Sequence, residues 1–225
     1  MYEHPLDNPI WNGLTGPHAH LGVGSGKVRR YRPDVAMFVA VENPADPHMP
    51  ELLDLMGTAP AGFVTVGPVA LPDGVDVIRI ADVLQMVVDD WKPVPVTLDI
   101  QALGEADEPQ MVELVDLTKP GPFAPRARLM GEFRGLFDGG RLIAMSGERM
   151  RTSTFTEISA VCTHPDYRGR GYAKQFVSVG GNEIIVTGKT PFLHVFADNA
   201  LAIATYEKLG FVRSRRMQFT VIKRR

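Results

Sequence analysis

The sequence predicts a mixed α/β fold on a central sheet that is partly antiparallel. Three observations predict it. Short apolar runs recur between Gly-, Pro- and Asp-rich breaks; an Asp-Gly-Gly turn at 138–140 joins two of them as a hairpin; and two stretches with helical spacing follow residue 170.

The elements follow in chain order. Residues 1–33 are rich in Gly, Pro and His, lack clear periodicity, and are expected to form an extended or loop-rich lead-in. Within them Gly22-Val23-Gly24-Ser25-Gly26-Lys27 invites a nucleotide-loop reading, but a P-loop needs Ser or Thr after the lysine, and Val28 stands there. Residues 35–41 read as a strand, 49–56 as a short helix, 62–66 as a strand, and 75–80 and 84–88 as two more strands. Trp91-Lys92-Pro93-Val94-Pro95 marks a boundary, since two prolines interrupt helix and sheet alike. The expected division is therefore a lead-in and an α/β lobe over 1–95, and a second domain over 96–225.

Beyond the boundary, 96–102 is strand-like. A helix opens at Asp107, carries Met111, Leu114, Val115 and Leu117 at helical spacing, and ends by Lys119-Pro120-Gly121-Pro122. Residues 133–137 and 142–147 are the hairpin strands, and 155–163 the next strand. Residues 171–186 form a helix in which Gly180-Gly181 costs about 1 kcal/mol per glycine and invites a kink. Residues 192–197 are a strand, 200–208 a helix closed by Gly210, and 211–222 the last strand. A helical crossover between 155–163 and 192–197 makes those two strands parallel neighbours.

Composition narrows the function classes. A chain of 225 residues, 44% of them hydrophobic, buries one sizeable core or two small ones. No apolar run reaches the roughly 18–20 residues that span a bilayer. The start, Met1-Tyr2-Glu3-His4-Pro5-Leu6-Asp7, has neither the basic region nor the apolar stretch of a secretory leader. The one cysteine, Cys162, excludes an intrachain disulfide and fits a reducing cytoplasm, where the protein is expected. His18-x-His20 stands alone, no Cys/His pair has zinc-ligand spacing, and no metal is expected. A net charge of −2 argues against a general nucleic-acid binder. That charge is uneven: residues 1–105 carry 6 Lys/Arg against 14 Asp/Glu, and residues 106–225 carry 18 against 12. The C-terminal half is thus the better host for a polyanion, although its tail (Arg213, Arg215, Arg216, Lys223, Arg224, Arg225) also reads as solvated edge-strand charge.

The most informative stretch is Thr163-His164-Pro165-Asp166-Tyr167-Arg168-Gly169-Arg170-Gly171-Tyr172-Ala173, a turn between a strand and a helix. Free backbone N–H groups and the helix dipole at such a place suit a phosphate, and glycine lets the backbone approach it. The spacing Arg168-x-x-Gly171-x-Ala173 resembles the acyl-CoA signature of the GNAT acetyltransferase superfamily. Phe196 to Phe211, with Asp198-Asn199-Ala200 and Tyr206-Glu207-Lys208-Leu209-Gly210, is similar to that family's second acyl-CoA motif. The element order matches the GNAT fold from about residue 96 onward.

The resemblance implies acetyl-CoA as co-substrate. Its pantetheine would run beside Val161, Cys162 and Thr163, largely against backbone, where the strand splays from its parallel neighbour. Its pyrophosphate would sit on Arg168, Gly169, Arg170, Gly171, Tyr172 and Ala173. Asn199 would hydrogen-bond the pantetheine, although such an Asn is also a plain helix cap. Tyr206 would protonate the departing thiolate as a general acid. Glu157 occupies the position of the catalytic glutamate of the histone-acetylating branch. Strand alternation sets Glu157, Ser159, Val161 and Thr163 on one face, open to substrate, and Ile158, Ala160 and Cys162 on the packed face, a parity that a bulge would upset. A base, Glu157 or a water chain, is needed because a lysine amine has a pKa of about 10.4 and an α-amino group about 8. A backbone N–H near Val161 would stabilise the oxyanion. Cys162 faces the packed side and is not expected as a nucleophile, and His164 and His194 are expected to be structural.

The lobe before residue 96 is similar to the divergent N-terminal half of the branch related to glycine N-acyltransferases. Its acidity predicts a cationic amine as acceptor. The expected activity is N-acetyl transfer to the amine of a small molecule or protein by direct attack in a ternary complex. The alternatives are a non-catalytic acyl-CoA-binding sensor, O-acylation, or a longer acyl donor. No membrane or nucleic-acid partner is expected, and a homodimer is open.

Overall fold

The computed structural model describes residues 4–46 and 50–225. Met49, the first residue of the helix expected over 49–56, lies outside them; the helix itself is α2 (Pro50–Met56). A three-stranded antiparallel sheet holds β1 (Gly22–Val23), β2 (Val28–Tyr31) and β3 (Val39–Val41). The main sheet holds β4 (Ala61–Thr65), β5 (Val75–Val88), β6 (Gln101–Ala102), β7 (Phe133–Asp138), β8 (Arg141–Arg151), β9 (Phe155–Thr163), β10 (Thr190–Phe196) and β11 (Phe211–Arg224). Its spatial order is β4-β11-β5-β10-β9-β8-β7-β6. The β9–β10 pair is parallel, as the crossover through α4 (Tyr172–Val186) requires, and its other pairs are antiparallel.

Over its described residues, 4–33, the expected lead-in is ordered core. Leu6, Ile10 and Leu14 stand four apart, and all are buried together with Leu21. Helix α1 (Pro9–Leu14) starts on a proline at a position that needs no N–H donor, and Asn8 accepts from Trp11 N at 3.4 Å. The dense Gly/Pro/His composition hides this short apolar stripe.

The boundary at Trp91–Pro95 does not divide the sheet. Residues 75–80 and 84–88 belong to the single strand β5, which pairs with β10 through Val83–Val87 and with β11 along its full length. A strand from the N-terminal half therefore sits between two strands of the C-terminal half. The strand expected over 96–102 shrinks to β6. Upstream of it, the backbone lies along α4, where Ser178 Oγ accepts from Val94 N at 3.0 Å and Gln175 Oε1 from Thr97 N at 2.8 Å. Side chains of α4 satisfy donors that a sheet neighbour would otherwise take. Helix α4 runs unbroken through Gly180-Gly181; the Trp91 ring occupies the space where a Cβ on Gly181 would stand, and Trp91 Nε1 donates to Asn182 at 2.8 Å.

Side chains of β10 alternate between two cores. Phe192 and Phe196 pack with α1 and the N-terminal strands, while Leu193 and Val195 pack with α4 and α5 (Ala200–Glu207). Helix α3 (Glu108–Thr118) packs Met111, Leu114 and Val115 against Phe133, Met145 and Cys162.

Candidate functional site

Strands β9 and β10 pair at only three registers, Phe155 with Thr190, Thr156 with Pro191 and Glu157 with Phe192. Beyond Glu157 they part. The same stretch of β9 is bulged: Met145 of β8 opposes Cys162, but Gly147 opposes Ser159, and Ala160 has a φ of 52°. A non-glycine residue in the left-handed region is held there only by its surroundings. The extra residue reverses the side-chain parity expected for this strand. Val161 packs with Ile158 against the α4/α5 core, and Ala160 and Cys162 pack against the α3 core. Val161 is thus not on the face of Glu157.

The gap opens into a cleft lined by Val161, Cys162, Thr163, Arg168, Gly169, Arg170, Gly171, Tyr172, Ala173 and Asn199, with Tyr206 at its inner end. Gly169 and Gly171 have φ of 79° and 78°, and nothing stands within 4 Å of where their Cβ atoms would be. Only glycine holds this conformation without strain, and the open side faces the cleft. Gly171 is the N-cap of α4, and no side chain caps that helix, so its first N–H groups are left for a ligand. Arg168 and Arg170 are exposed. Arg168 Nε donates to Thr163 O at 3.3 Å, and Arg170 lies over the Tyr167 ring at 4.9 Å. A cleft between parting strands, an uncapped helix start, left-handed glycines and two arginines fit a pantetheine arm followed by a pyrophosphate.

Asn199 is the N-cap of α5, its Oδ1 accepting from Ala202 N at 3.1 Å, and it lines the cleft as well. Burial raises the Tyr206 hydroxyl to about 12, so it keeps its proton at neutral pH. Burial likewise pushes the Cys162 thiol up to about 11, which leaves it inert as a nucleophile. His164 caps the turn at Pro165–Tyr167 by accepting from Asp166 N at 3.3 Å.

Glu157 is not open to substrate. It is 0% exposed and held by three side-chain bonds: Arg149 Nε at 2.9 Å, Arg149 Nη2 at 2.6 Å and His194 Nδ1 at 2.8 Å. Burial opposes its charge, but the Arg149 guanidinium and the His194 imidazole override that and hold the carboxyl well below the usual range. The network continues away from the cleft. Gln85 Nε2 donates to His194 Nε2 at 3.1 Å and to Leu6 O at 3.0 Å; Arg215 Nη1 donates to Gln85 Oε1 at 2.9 Å, and Arg215 Nε to Asp7 at 2.7 Å. Both ring nitrogens of His194 are therefore engaged, with the proton on Nδ1 toward Glu157.

At Tyr206 the cleft continues into an inner chamber on the far side of the bulge. Phe38, Phe123, Phe196, Phe219, Val64 and Val83 wall it, with Arg149, Ser159 and His194 among them. It extends past Ala160 to Met37, Met130 and Phe133. Sequence reasoning missed Phe38 and Arg149 here, set Ser159 on the open face by strand alternation, and treated His194 as merely structural. Ser159 lies two residues from Glu157, but nothing in the local spacing marks the others.

Residues 134–220 match the model of the family described as FR47-like protein. The chain is 42% identical, at a TM-score of 0.90, to a crystal structure from Novosphingobium aromaticivorans assigned to the GNAT acetyltransferases, covering 99% of this chain and 100% of that one. A GCN5-related N-acetyltransferase from Kribbella flavida shares the fold at 13% identity and a TM-score of 0.63, over 95% of this chain and 94% of that one. Mycothiol acetyltransferase of Corynebacterium efficiens is 34% identical over 82 residues, which are 36% of this chain and 28% of that enzyme. The chain thus spans little more than a quarter of the curated relative it matches. Full-length similarity to the Novosphingobium protein shows that the chain belongs to the GNAT family of acetyltransferases.

Proposed function

We propose that the protein is an N-acetyltransferase that moves the acetyl group of acetyl-CoA to an amine by direct attack in a ternary complex. One observation carries the reading: the cleft between the parting strands connects the uncapped start of α4 to the chamber through Tyr206. The similarity to mycothiol acetyltransferases supports the reaction class and covers too little of those enzymes to carry their acceptor here.

Acetyl-CoA supplies an activated thioester at the inner end of the cleft. Val161, Cys162 and Thr163 hold the pantetheine through backbone, and Asn199 faces it from α5. The turn Arg168, Gly169, Arg170, Gly171, Tyr172 and Ala173 binds the pyrophosphate through N–H groups and two cations. The bulge at Ala160 and Val161 breaks the β8–β9 register beside Tyr206, and a backbone N–H near Val161 is the proposed donor to the thioester carbonyl. Tyr206, still protonated at neutral pH, donates to the leaving sulfur, and the proton that the attacking nitrogen sheds on becoming an amide restores the Tyr206 hydroxyl. Glu157 acts as a positioning residue: it fixes Arg149 and His194 in the chamber wall. The N-terminal half supplies Phe38, Val64 and Val83 to that wall, the role that resemblance to the glycine N-acyltransferase branch implies for it.

Purified protein with acetyl-CoA and a panel of amines, followed by release of free thiol, tests the reading. Acceptor-dependent release is expected. Tight CoA binding with no release for any acceptor would instead mark a non-catalytic acyl-CoA binder.

A further inference from the structure

Building on the transferase reading, we infer that the acceptor is an amine ionising near neutrality on an apolar, ring-sized body, not a lysine side chain or a polyamine. The walls come first. Four phenylalanines, Phe38, Phe123, Phe196 and Phe219, face the chamber, and such surface favours an apolar ligand over a hydrated cation.

The charges agree. Among the described residues lining the chamber the one carboxylate is Glu148, which is buried and held by Arg151. Glu157 lies behind the wall, bonded to Arg149 and His194. The cation in the wall, by contrast, faces inward. Arg149 lines the chamber, Arg149 Nη1 has no hydrogen-bond partner among the described residues, and its guanidinium lies 5.0 Å from the Phe38 ring. A second positive charge would enter against it and lose its water without a counter-ion. The acidity of the N-terminal half, which predicts a cationic acceptor, does not reach this chamber.

Proton transfer points the same way. Glu157 lies behind the wall and Tyr206 keeps its proton, so neither takes a proton from an ammonium. An amine that arrives neutral attacks without that step. At pH 7 an α-amino group of pKa about 8 is neutral roughly 250 times more often than a lysine amine of pKa about 10.4.

Thiol-release kinetics with phenylalanine amide, glycine amide, Nα-acetyl-lysine amide and spermidine separate these properties. Phenylalanine amide is expected to exceed glycine amide at least tenfold in kcat/KM, and spermidine at least a hundredfold at pH 7. Its kcat/KM should rise with pH and level off at the pKa of the amide's own amine. Phe123→Ala should remove the preference for phenylalanine amide over glycine amide and leave CoA affinity unchanged. Faster turnover of spermidine or of the lysine amide overturns the inference alone. Equal turnover of the glycine and phenylalanine amides also overturns it. No thiol release with any acceptor, while CoA still binds, removes the transferase reading and this inference together.

Discussion

Around the proposed donor cleft the chain works with backbone that lies close in sequence, residues 161–173, joined by the start of α5 at Asn199. Around the chamber it works with side chains drawn from Phe38, Val64, Val83, Phe123, Arg149, His194 and Phe219. The two regions meet at one bulge. A nucleotide-like tail presents the same phosphates whatever the acceptor is, so a turn and a helix start can bind it with little help from side chains. A chamber for a variable partner has to be shaped by side chains, and these come from wherever the fold brings them. The N-terminal half enters this comparison twice, as chamber wall and as the strand β5 inside the sheet.

Removing residues 1–95 is the strongest way to break the comparison, because it asks whether the donor half exists alone. Without β5, β10 and β11 both lose their shared neighbour, and the core of Leu84, Met86, Leu193 and Phe211 opens. We expect fragment 96–225 to give no cooperative thermal transition by circular dichroism, because bare strand edges and half a core do not sustain a fold. A fragment that melts cooperatively and still binds CoA would make the donor half independent.

Next in size is Glu157→Gln. The substitution leaves Arg149 charged and largely buried without its partner, and breaking such a pair costs about 3–5 kcal/mol. Urea unfolding at pH 7 reads this directly. Acid supplies a second readout. The folded pKa of Glu157 is depressed, so its contribution is fully present above the unfolded carboxylate value of about 4.3 and is lost as pH falls through the folded one. The wild type should therefore lose more stability than the variant on acidification below about pH 4. Parallel curves would show that the pair contributes nothing net.

Much of the donor side was legible in the sequence, for reasons the same contrast explains. The left-handed glycines at 169 and 171, the strand at Phe155–Thr163 and the helix behind them are local features with local signals. The bulge at Ala160 was not legible, since no residue there demands a positive φ, and it inverted the expected facing of Val161. The burial of Glu157 was hidden as well. It depends on Arg149 across a hairpin, on His194 in a strand 37 residues away, and on Gln85 from a half that looked separate. Leu6, Ile10 and Leu14 did carry a helical stripe, obscured by the prolines and glycines around it.

Tyr206→Phe probes the junction of the two regions. The hydroxyl is proposed to donate to the leaving thiolate, so kcat should fall about a hundredfold, the lower end for a general acid. KM for acetyl-CoA and the melting temperature should hardly move, since the ring still packs against Phe211 at 6.0 Å. In the wild type, activity should fall on the alkaline side only as pH approaches about 12, because the acid has to stay protonated. An unchanged kcat would move the leaving-group proton to water.

The smallest expected effect separates two roles that share one residue. Asn199 caps α5 through Oδ1, and replacing such a cap with Ala costs about 1 kcal/mol. Asn199→Asp keeps an oxygen at the helix start and favours the dipole, but it removes the amide donor proposed for the pantetheine. If the residue only caps, Asp should match wild type in stability and in KM for acetyl-CoA, while Ala loses stability. If it also binds the donor, both variants should raise that KM severalfold, although only Ala destabilises. A rise in KM with retained stability in the Asp variant would give the donor cleft one side chain that acts as the chamber's residues do, by its own hydrogen-bonding chemistry.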